Sequence, residues 1–207
     1  MSHGKSLIIR RSKLSADDID VLLTAPYFES VTRHLNYTNF FDSAQPTNDI
    51  QKTIIGILQK LDVDYEGKKI EYWFQHQVEG QELAPHCDYN HQARREYSGV
   101  KQCWLHEVED KTRIMSPVTI ACYLQADNLE GGELCISTHT WFNEPTPLSV
   151  DPVSIKHHPH EVYQPAAGDI LFFEGSKYYH WIQPVRAGER KSMMINFWPE
   201  TLVIHDE

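Results

Sequence analysis

"GDILFFEGSKYYHWIQPVRAGERKSMMINFWP", residues 168–199, contains three short runs of residues that favour β-strands. Each run is rich in Ile, Phe, Tyr, Trp or Met, and glycine or proline separates it from the next. The runs are 169–175, 178–185 and 190–199. His180 lies in the second run and Arg190 in the third, with the turn "RAGE" between them. We therefore expect His180 and Arg190 on adjacent antiparallel strands.

The same strand-like composition extends upstream, whereas the beginning of the chain favours helices. "LSADDIDVLLTA" (14–25) has a capping serine, Ser15, and acidic residues in its first turn. "PTNDIQKTIIGILQKLD" (46–62) places its apolar residues at helical spacing after a cap at Thr47 or Asn48. Further strands are predicted at 69–78, 117–126, 132–137 and 157–165.

Helices followed by many short strands predict a mainly β protein with N-terminal helices, built as a sandwich or jelly roll. We expect a single domain over 1–207, in which 1–68 is mostly helical support and 69–199 forms the β core. The prolines of 137–154 predict a long loop that covers a binding site.

Composition excludes several classes of function. A formal net charge of −10 disfavours a nucleic-acid binder, which needs a cationic surface. No apolar run is long enough to cross a membrane, and the first residues lack the pattern of a secretory signal. The four cysteines have no zinc-finger spacing and are expected to be reduced thiols. We predict a cytoplasmic protein with a small-molecule substrate, and the sequence indicates no oligomeric state.

"APHCDYNHQ", residues 84–92, holds a histidine and an aspartate two positions apart. His86 and Asp88 would lie on one face of an extended segment, which suits a metal but also suits a solvent-facing strand. His180 supplies a third ligand far along the chain. Two histidines and one carboxylate form the facial triad of non-haem Fe(II) oxygenases, which leaves coordination positions open for reactants.

Several segments, in order, resemble the Fe(II)/2-oxoglutarate-dependent dioxygenases, in particular their compact prolyl-hydroxylase-like branch. "EGQELAPHCD" (79–88) is similar to the family's Gly-Gln-x-x-x-x-His-x-Asp stretch. "VTIACYLQADNLEGGELCI" (118–136) is similar to its Tyr-Leu and Glu-Gly-Gly-Glu-Leu strand and turn. The stretch from Gly168 to Ser192 is similar to its Gly-Asp, distal histidine and Gly-x-Arg segment. The resemblance covers about residues 70 to 198.

The resemblance implies a double-stranded β-helix core and an enzyme that hydroxylates or otherwise oxidises an unactivated C–H bond. His86, Asp88 and His180 would be the catalytic residues that bind Fe(II). 2-Oxoglutarate and O2 would be consumed with release of succinate and CO2, and ascorbate would assist in vitro. Arg190 would bind the far carboxylate of 2-oxoglutarate, since a guanidinium meets a carboxylate with two parallel hydrogen bonds. Ser192 would add a hydroxyl donor.

One position departs from the branch. A tyrosine that helps to hold 2-oxoglutarate usually stands three residues before the Gly-Gln pair, and this chain has Gln77 there. Tyr72, Phe74 or Tyr123 is expected to line that pocket instead.

Substrate contacts are predicted in the loops. Trp141 would exclude water, Glu144 would meet a polar or cationic group, and Asn128 with the 89–95 segment, including Arg94, would form the opposite wall. A free amino acid or small natural-product intermediate is the expected substrate. The alternatives are a peptidyl, prolyl-type residue, or a cupin-like module that holds a metal without turnover. His157, His158 and His160 are interpreted as surface histidines, with a second metal site as the alternative.

Overall fold

The structure, a computed structural model, describes residues 7–26, 28–30, 39–88, 118–140 and 152–199. The helices in these ranges are α1 (Ala16–Leu23), α2 (Asp49–Lys60) and the short α3 (Pro152–Ile155). The strands are β1 (Ile8–Lys13), β2 (Glu29–Ser30), β3 (Asn39–Asp42), β4 (Lys68–Val78), β5 (Leu83–His86), β6 (Thr119–Gln125), β7 (Glu130–Gly131), β8 (Leu134–Thr140), β9 (His160–Tyr163), β10 (Asp169–Phe173), β11 (Tyr178–Ile182), β12 (Val185–Ala187) and β13 (Glu189–Pro199).

Both predicted N-terminal helices are confirmed, and each begins at a side-chain cap. The Ser15 hydroxyl accepts from the backbone N–H of Asp18, and the Asp18 carboxylate accepts from the Ser15 backbone N–H in return. Asn48, rather than Thr47, caps α2 by accepting from the Gln51 N–H at 2.9 Å. These bonds satisfy N–H groups that a helix leaves without internal partners.

Two sheets form the body of the protein. The larger has the strand order β1-β10-β6-β13-β4-β2, with β3 also paired to β4. The smaller has the order β5-β11-β8-β9, and β12 pairs with β7 in a separate ribbon. The sheets face each other across an apolar layer that includes Tyr123, Phe173 and Met194 from the large sheet and Leu134 and Ile136 from the small one. This arrangement is a double-stranded β-helix.

The outer face of the large sheet is covered by α1 and α2. Leu22, Ile54 and Leu58 of the helices pack on Met193 and Ile195 of β13, all of them buried. Because side chains alternate along a strand, the even-numbered neighbours on β13 face the interior between the sheets. That interior face of β13 carries Arg190, Ser192, Met194, Asn196 and Trp198.

The N-terminal part contains three strands that were not predicted. β1, an edge strand of the large sheet, pairs with β10, and β3 pairs with β4. Short edge strands owe their conformation to a partner distant in sequence, which local composition does not reveal. The predicted loop at 137–154 begins later than expected, since β8 runs to Thr140 and α3 starts at Pro152; residues 141–151 lie outside the described ranges. None of the helices in the described part of the chain is long and apolar enough to span a membrane.

Candidate active site

Two histidines meet at the junction of β5 and β11. His86 and His180 are direct cross-strand partners, and their ring centroids lie 4.3 Å apart. Asp88 follows two residues after His86, beyond the end of β5, where its backbone N–H donates to the Gly175 carbonyl at 2.9 Å. This bond ties the Asp88 segment to the turn that precedes β11, so all three side chains come together.

The three side chains present one candidate ligand atom each to a common point. Asp88 Oδ1 lies 3.6 Å from Nε2 of His86 and 3.6 Å from Nε2 of His180. The candidate ligand atoms all lie within 4.8 Å of one another. The His180 and Asp88 side chains are 4% and 8% exposed, whereas His86 is 36% exposed. Solvent therefore reaches the triad on the side of His86.

The backbone fixes the tautomer of both histidines. Nδ1 of His86 lies 2.9 Å from the Ala84 carbonyl, and Nδ1 of His180 lies 3.2 Å from the Tyr178 carbonyl. A carbonyl oxygen only accepts, so Nδ1 must carry the hydrogen in each ring. Nε2 is left with its lone pair directed at the common point, which is the arrangement of a metal-binding histidine.

The second oxygen of Asp88 is held by the protein. The Thr119 hydroxyl lies 2.7 Å from Asp88 Oδ2. A Cβ atom at Gly175 would lie 2.5 Å from the same oxygen, so glycine is required for the close approach of this turn. Burial acts to raise the pKa of Asp88, but the histidines, His180 most strongly, and the Thr119 hydroxyl lower it well below its usual range. The carboxylate is thus ionised, with Oδ1 available to a cation.

Arg190 lies on β13, inside the sandwich and 1% exposed. Its Nη1 donates to the Gly132 carbonyl at 2.8 Å, Nη2 is 3.5 Å from the Ser192 hydroxyl, and the guanidinium carbon lies 4.9 Å from the Tyr123 ring centroid. Its Nε has no hydrogen-bond partner in the described part of the chain. Among the residues that the structure describes, no carboxylate pairs with this buried cation.

His180 and Arg190 are not on adjacent paired strands, and that prediction is wrong. β11 pairs with β5 and β8 in the small sheet, whereas β13 pairs with β4 and β6 in the large sheet. The chain between them crosses from one sheet to the other through β12, so the two residues belong to facing layers of the sandwich.

Gln77 is a polar residue of this interior whose role was not predicted from the sequence. It is the cross-strand partner of Arg190, is fully buried, and neither of its amide atoms has a hydrogen-bond partner among the described residues. Gln75, two residues earlier, pairs with Ser192, and its buried amide oxygen also has no partner within the ranges that the structure describes. The alternation of residues along β4 could have predicted this polar face, because Glu71, Gln75 and Gln77 lie on the same side of the strand.

Tyr72 lies on the other face of the sheet from Arg190, which corrects its predicted contact with the co-substrate. Its ring packs edge-on against Phe41 and Phe74 in the helix-facing core, and its hydroxyl is hydrogen-bonded to Gln51 of α2 and to the cap residue Asn48. Residues of β4 with even numbers face the helices, and the sequence did not reveal which face was which. Phe74 shares this placement. Tyr123, by contrast, stands beside Arg190.

Asn128 lies in the turn between β6 and β7, exposed and with a positive φ of 50°. Its backbone carbonyl adjoins Gly188, which directly precedes β13. This turn is at the opposite end of β6 from Thr119, so Asn128 is not among the residues gathered at the triad, contrary to the predicted substrate wall. Trp141, Glu144 and Arg94 lie outside the described residues.

In the described part of the chain, the ring nitrogens of His157, His158 and His160 do not meet as a metal site. Within the described ranges, His86, Asp88 and His180 are the one group of three whose ligand atoms meet. His160 is exposed, packs edge-on against Trp181 with ring centroids 4.8 Å apart, and has its Nδ1 2.8 Å from the His158 carbonyl. His157 is exposed as well.

Residues 72–198, more than half of the chain, match the family model described as the 2OG-Fe(II) oxygenase superfamily. The fold is similar to that of the viral collagen prolyl hydroxylase vCPH from Paramecium Bursaria Chlorella virus-1, solved as its 2OG complex, with a TM-score of 0.50, 17% identity, and coverage of 92% of this chain and 94% of that one. A Pseudomonas putida prolyl-4-hydroxylase gives a TM-score of 0.49 and 17% identity over 92% of this chain and 84% of that one. No curated protein sequence matches the chain.

Proposed function

The chain belongs to the 2OG-Fe(II) oxygenase superfamily, and we propose that it oxidises a C–H bond of a small amino-acid-like substrate. The family implies Fe(II), 2-oxoglutarate and O2 as the reactive partners. In this proposal His86, Asp88 and His180 hold the metal, and Arg190 holds the far carboxylate of 2-oxoglutarate.

The buried charge of Arg190 is the observation that carries the co-substrate assignment. An ionised group inside a protein is strongly destabilising unless it is paired. Arg190 donates to a neutral carbonyl and lies beside a hydroxyl and an aromatic ring, but no described carboxylate compensates its charge. A dicarboxylate that enters this interior would supply the missing negative charge.

Neighbouring side chains favour the same ligand. Nη1 is held by the Gly132 carbonyl, which fixes the plane of the guanidinium. Ser192 offers a hydroxyl donor on the same face, and Gln77 offers an amide N–H that has no partner within the described part of the protein. We assign Arg190, Ser192 and Gln77 as donors to the distal carboxylate, with Tyr123 as the surface on which the guanidinium rests.

The triad fits Fe(II) in its donor chemistry. Two neutral imidazole nitrogens and one carboxylate oxygen form a set that suits a divalent iron and leaves positions for other ligands. When bound, Fe(II) supplies the activation of O2 that oxidises the substrate as 2-oxoglutarate is converted to succinate and CO2. The chain orients the ligands through the Ala84 and Tyr178 carbonyls and Thr119, and Phe173 shields His180 with ring centroids 4.9 Å apart.

Substrate approach is assigned to the side of His86, because that ring is the exposed member of the triad. A free amino acid is the first candidate. A proline-containing peptide is the second, and the fold shared with the viral collagen prolyl hydroxylase supports it. The net charge of −10 disfavours a nucleic acid as the substrate.

The test is succinate formation from 2-oxoglutarate with Fe(II) and ascorbate, over a panel of free amino acids and short peptides that includes proline-containing ones. The expected result is succinate that rises with one substrate class and is abolished in His180→Ala. Binding of a divalent metal without any succinate formation, even at long incubation, would mean that the protein is a metal-holding module and not an enzyme.

Arg190→Ala tests the carboxylate assignment through binding rather than turnover. Loss of a hydrogen bond to a charged group costs about 1.5–3 kcal/mol, so the Kd for 2-oxoglutarate should rise about tenfold or more. Arg190→Lys should restore part of the affinity, because lysine keeps the charge without the planar fork. Lys191→Ala is the matched control, since Lys191 is the next residue on β13 and lies over the Phe28 ring on the helix-facing side. Equal affinity in Arg190→Ala and wild type would remove Arg190 from the site.

A further inference from the structure

A line of buried polar side chains runs from Asp88 into the sandwich. The Thr119 hydroxyl lies 2.7 Å from Asp88 Oδ2 and 2.9 Å from Asn196 Oδ1. The Asn196 amide adjoins the carboxyl of Glu71, its cross-strand partner. Trp198 closes the line by donating its Nε1–H to Glu71 Oε2 at 2.5 Å. All five residues are buried.

The hydrogen bonds of this line cannot all form if the Asn196 oxygen points toward Thr119. The hydroxyl has one hydrogen, while the Asp88 carboxylate and the Asn196 oxygen are both acceptors. A half-turn of the amide exchanges its nearly identical oxygen and nitrogen. Nδ2 of Asn196 then donates to Thr119, and the Thr119 hydrogen is fully committed to Asp88.

After that half-turn the Asn196 oxygen faces Glu71, so Glu71 must be the donor. Only a neutral carboxylic acid can donate. With Glu71 protonated, every group in the line has a partner of the right kind: Trp198 donates to Glu71, Glu71 to Asn196, Asn196 to Thr119, and Thr119 to Asp88.

The surroundings of Glu71 favour its neutral form. The carboxyl is buried, and within the described ranges no lysine, arginine or histidine pairs with it. Burial raises the pKa of Glu71 to about 8 against the Trp198 hydrogen bond, and the negative charge of Asp88 adds to the shift; an Asn196 amide with its nitrogen toward Glu71 would oppose the shift, and the half-turn removes that opposition. The neutral acid therefore predominates at pH 7.

We propose that Glu71 is a protonated positioning residue whose hydrogen starts a one-directional chain of hydrogen bonds, through Asn196 and Thr119, that holds Asp88 with Oδ1 toward the metal. This inference rests on the proposed function in one respect, namely that Asp88 is a metal ligand. The chain keeps Oδ2 occupied, so Asp88 offers a single oxygen and leaves the remaining coordination positions to other ligands.

Infrared difference spectroscopy of the metal-free protein tests the proton. The wild type should show a protonated carboxylic acid band near neutral pH that is absent in Glu71→Gln. Glutamine has nearly the same shape and can donate to Asn196 while accepting from Trp198, so this variant should remain folded. Absence of any band that depends on Glu71 overturns the proposal.

Anaerobic binding of Co(II), followed by its absorption spectrum, tests the effect on Asp88. Thr119→Val removes the hydroxyl at similar shape and should weaken Co(II) binding about tenfold to hundredfold, as loss of a partner behind a metal ligand typically does. Thr119→Ser keeps the hydroxyl and should restore binding, and Glu71→Gln keeps the donor and should bind better than Glu71→Leu. Thr119→Ala replaces Thr119→Val if the valine variant does not fold.

Wild-type Co(II) affinity and spectrum in Thr119→Val would overturn the chain. If the wild-type protein itself binds no Co(II), the proposed function fails instead. The infrared band still decides the protonation of Glu71 in that case, so the two failures are distinguishable.

Discussion

Arg190 and Gln77 are buried side by side at a position where polar groups are costly. The guanidinium lacks a counter-charge, and the amide lacks any hydrogen-bond partner among the described residues. Such groups destabilise the ligand-free protein, because water has been removed without a replacement. In the proposed function a bound dicarboxylate would offset this cost, so stability and co-substrate affinity would be opposed at these two residues.

Gln77→Leu separates the two effects. Leucine is similar in size and removes both unsatisfied amide atoms, each of which costs about 1–3 kcal/mol when buried alone. We expect the ligand-free variant to be at least as stable as wild type in urea denaturation. We also expect weaker 2-oxoglutarate binding in calorimetry with Co(II), by about tenfold if the amide donates to a carboxylate. Unchanged affinity would remove Gln77 from the co-substrate site.

Glu71 predicts a dependence of stability on pH. Its folded-state pKa, about 8, is above the ordinary value of 4.5, so the folded protein keeps a proton that the unfolded chain has lost between those pH values. The stabilising contribution of Glu71 to the unfolding free energy is fully present below about pH 4.5 and is lost as the pH rises through 8. The unfolding free energy of Glu71→Gln should therefore increase relative to that of wild type as the pH rises from 5 to 8. Parallel curves for the two proteins over that range would contradict this.

Strand β13 organises the site at the scale of elements. Its interior face carries Arg190 and Ser192 toward one end and Asn196 toward the other, and its outer face packs on the helices. Composition predicted the long strands and both helices because their apolar patterns repeat locally. It missed β1, whose partner β10 is far along the chain, and β3, whose partner β4 follows after α2. It also misassigned Tyr72, because alternation alone does not say which face meets the helices.

Helix α2 contains a glycine that the packing does not require. A Cβ at Gly56 would have no heavy atom within 4 Å, and the residue lies inside a regular helix. Alanine is favoured over glycine in a helix interior by about 0.5–1 kcal/mol. Gly56→Ala should raise the melting temperature by about 1–4 °C, at about 2–4 °C per kcal/mol for a chain of this size. Co(II) and 2-oxoglutarate affinities should stay at wild-type values. A lower melting temperature would contradict the inference that the space beside Gly56 is open.

At the scale of the whole molecule, the site joins parts of the chain that are remote in sequence. The ordered motifs of the chain predicted which residues would meet at the metal, and the structure brings His86, Asp88 and His180 together. The supporting residues Thr119, Asn196 and Glu71 were not predicted, since each is an ordinary strand residue until register places it beside the others. The crossing from β11 to β13 was also not predictable, because turn residues do not specify which sheet the next strand joins.

Ligands that bind at the triad and at Arg190 should stabilise the whole fold, because the site joins distant parts of the chain. A ligand present at a hundred times its Kd adds about 2.7 kcal/mol to the unfolding free energy. Co(II) with 2-oxoglutarate should therefore raise the melting temperature by about 5–10 °C at that saturation. 2-Oxoglutarate alone should raise it less, and His180→Ala should lose most of the combined effect. An equal rise in His180→Ala would mean that binding does not involve the triad.

The pairing of β1 with β10, and of β4 with β13, has a consequence for how the protein acquires its structure. One neighbour of β10, β1, and one neighbour of β13, β4, come from the N-terminal half of the chain, so neither half can complete the sheet alone. Long loops must close before these pairings form, and such topologies fold slowly, typically in milliseconds to seconds. During synthesis, His86 and Asp88 are made long before His180, so the metal cannot nucleate folding through the full triad. The full triad can therefore form only after the chain has been made as far as β11.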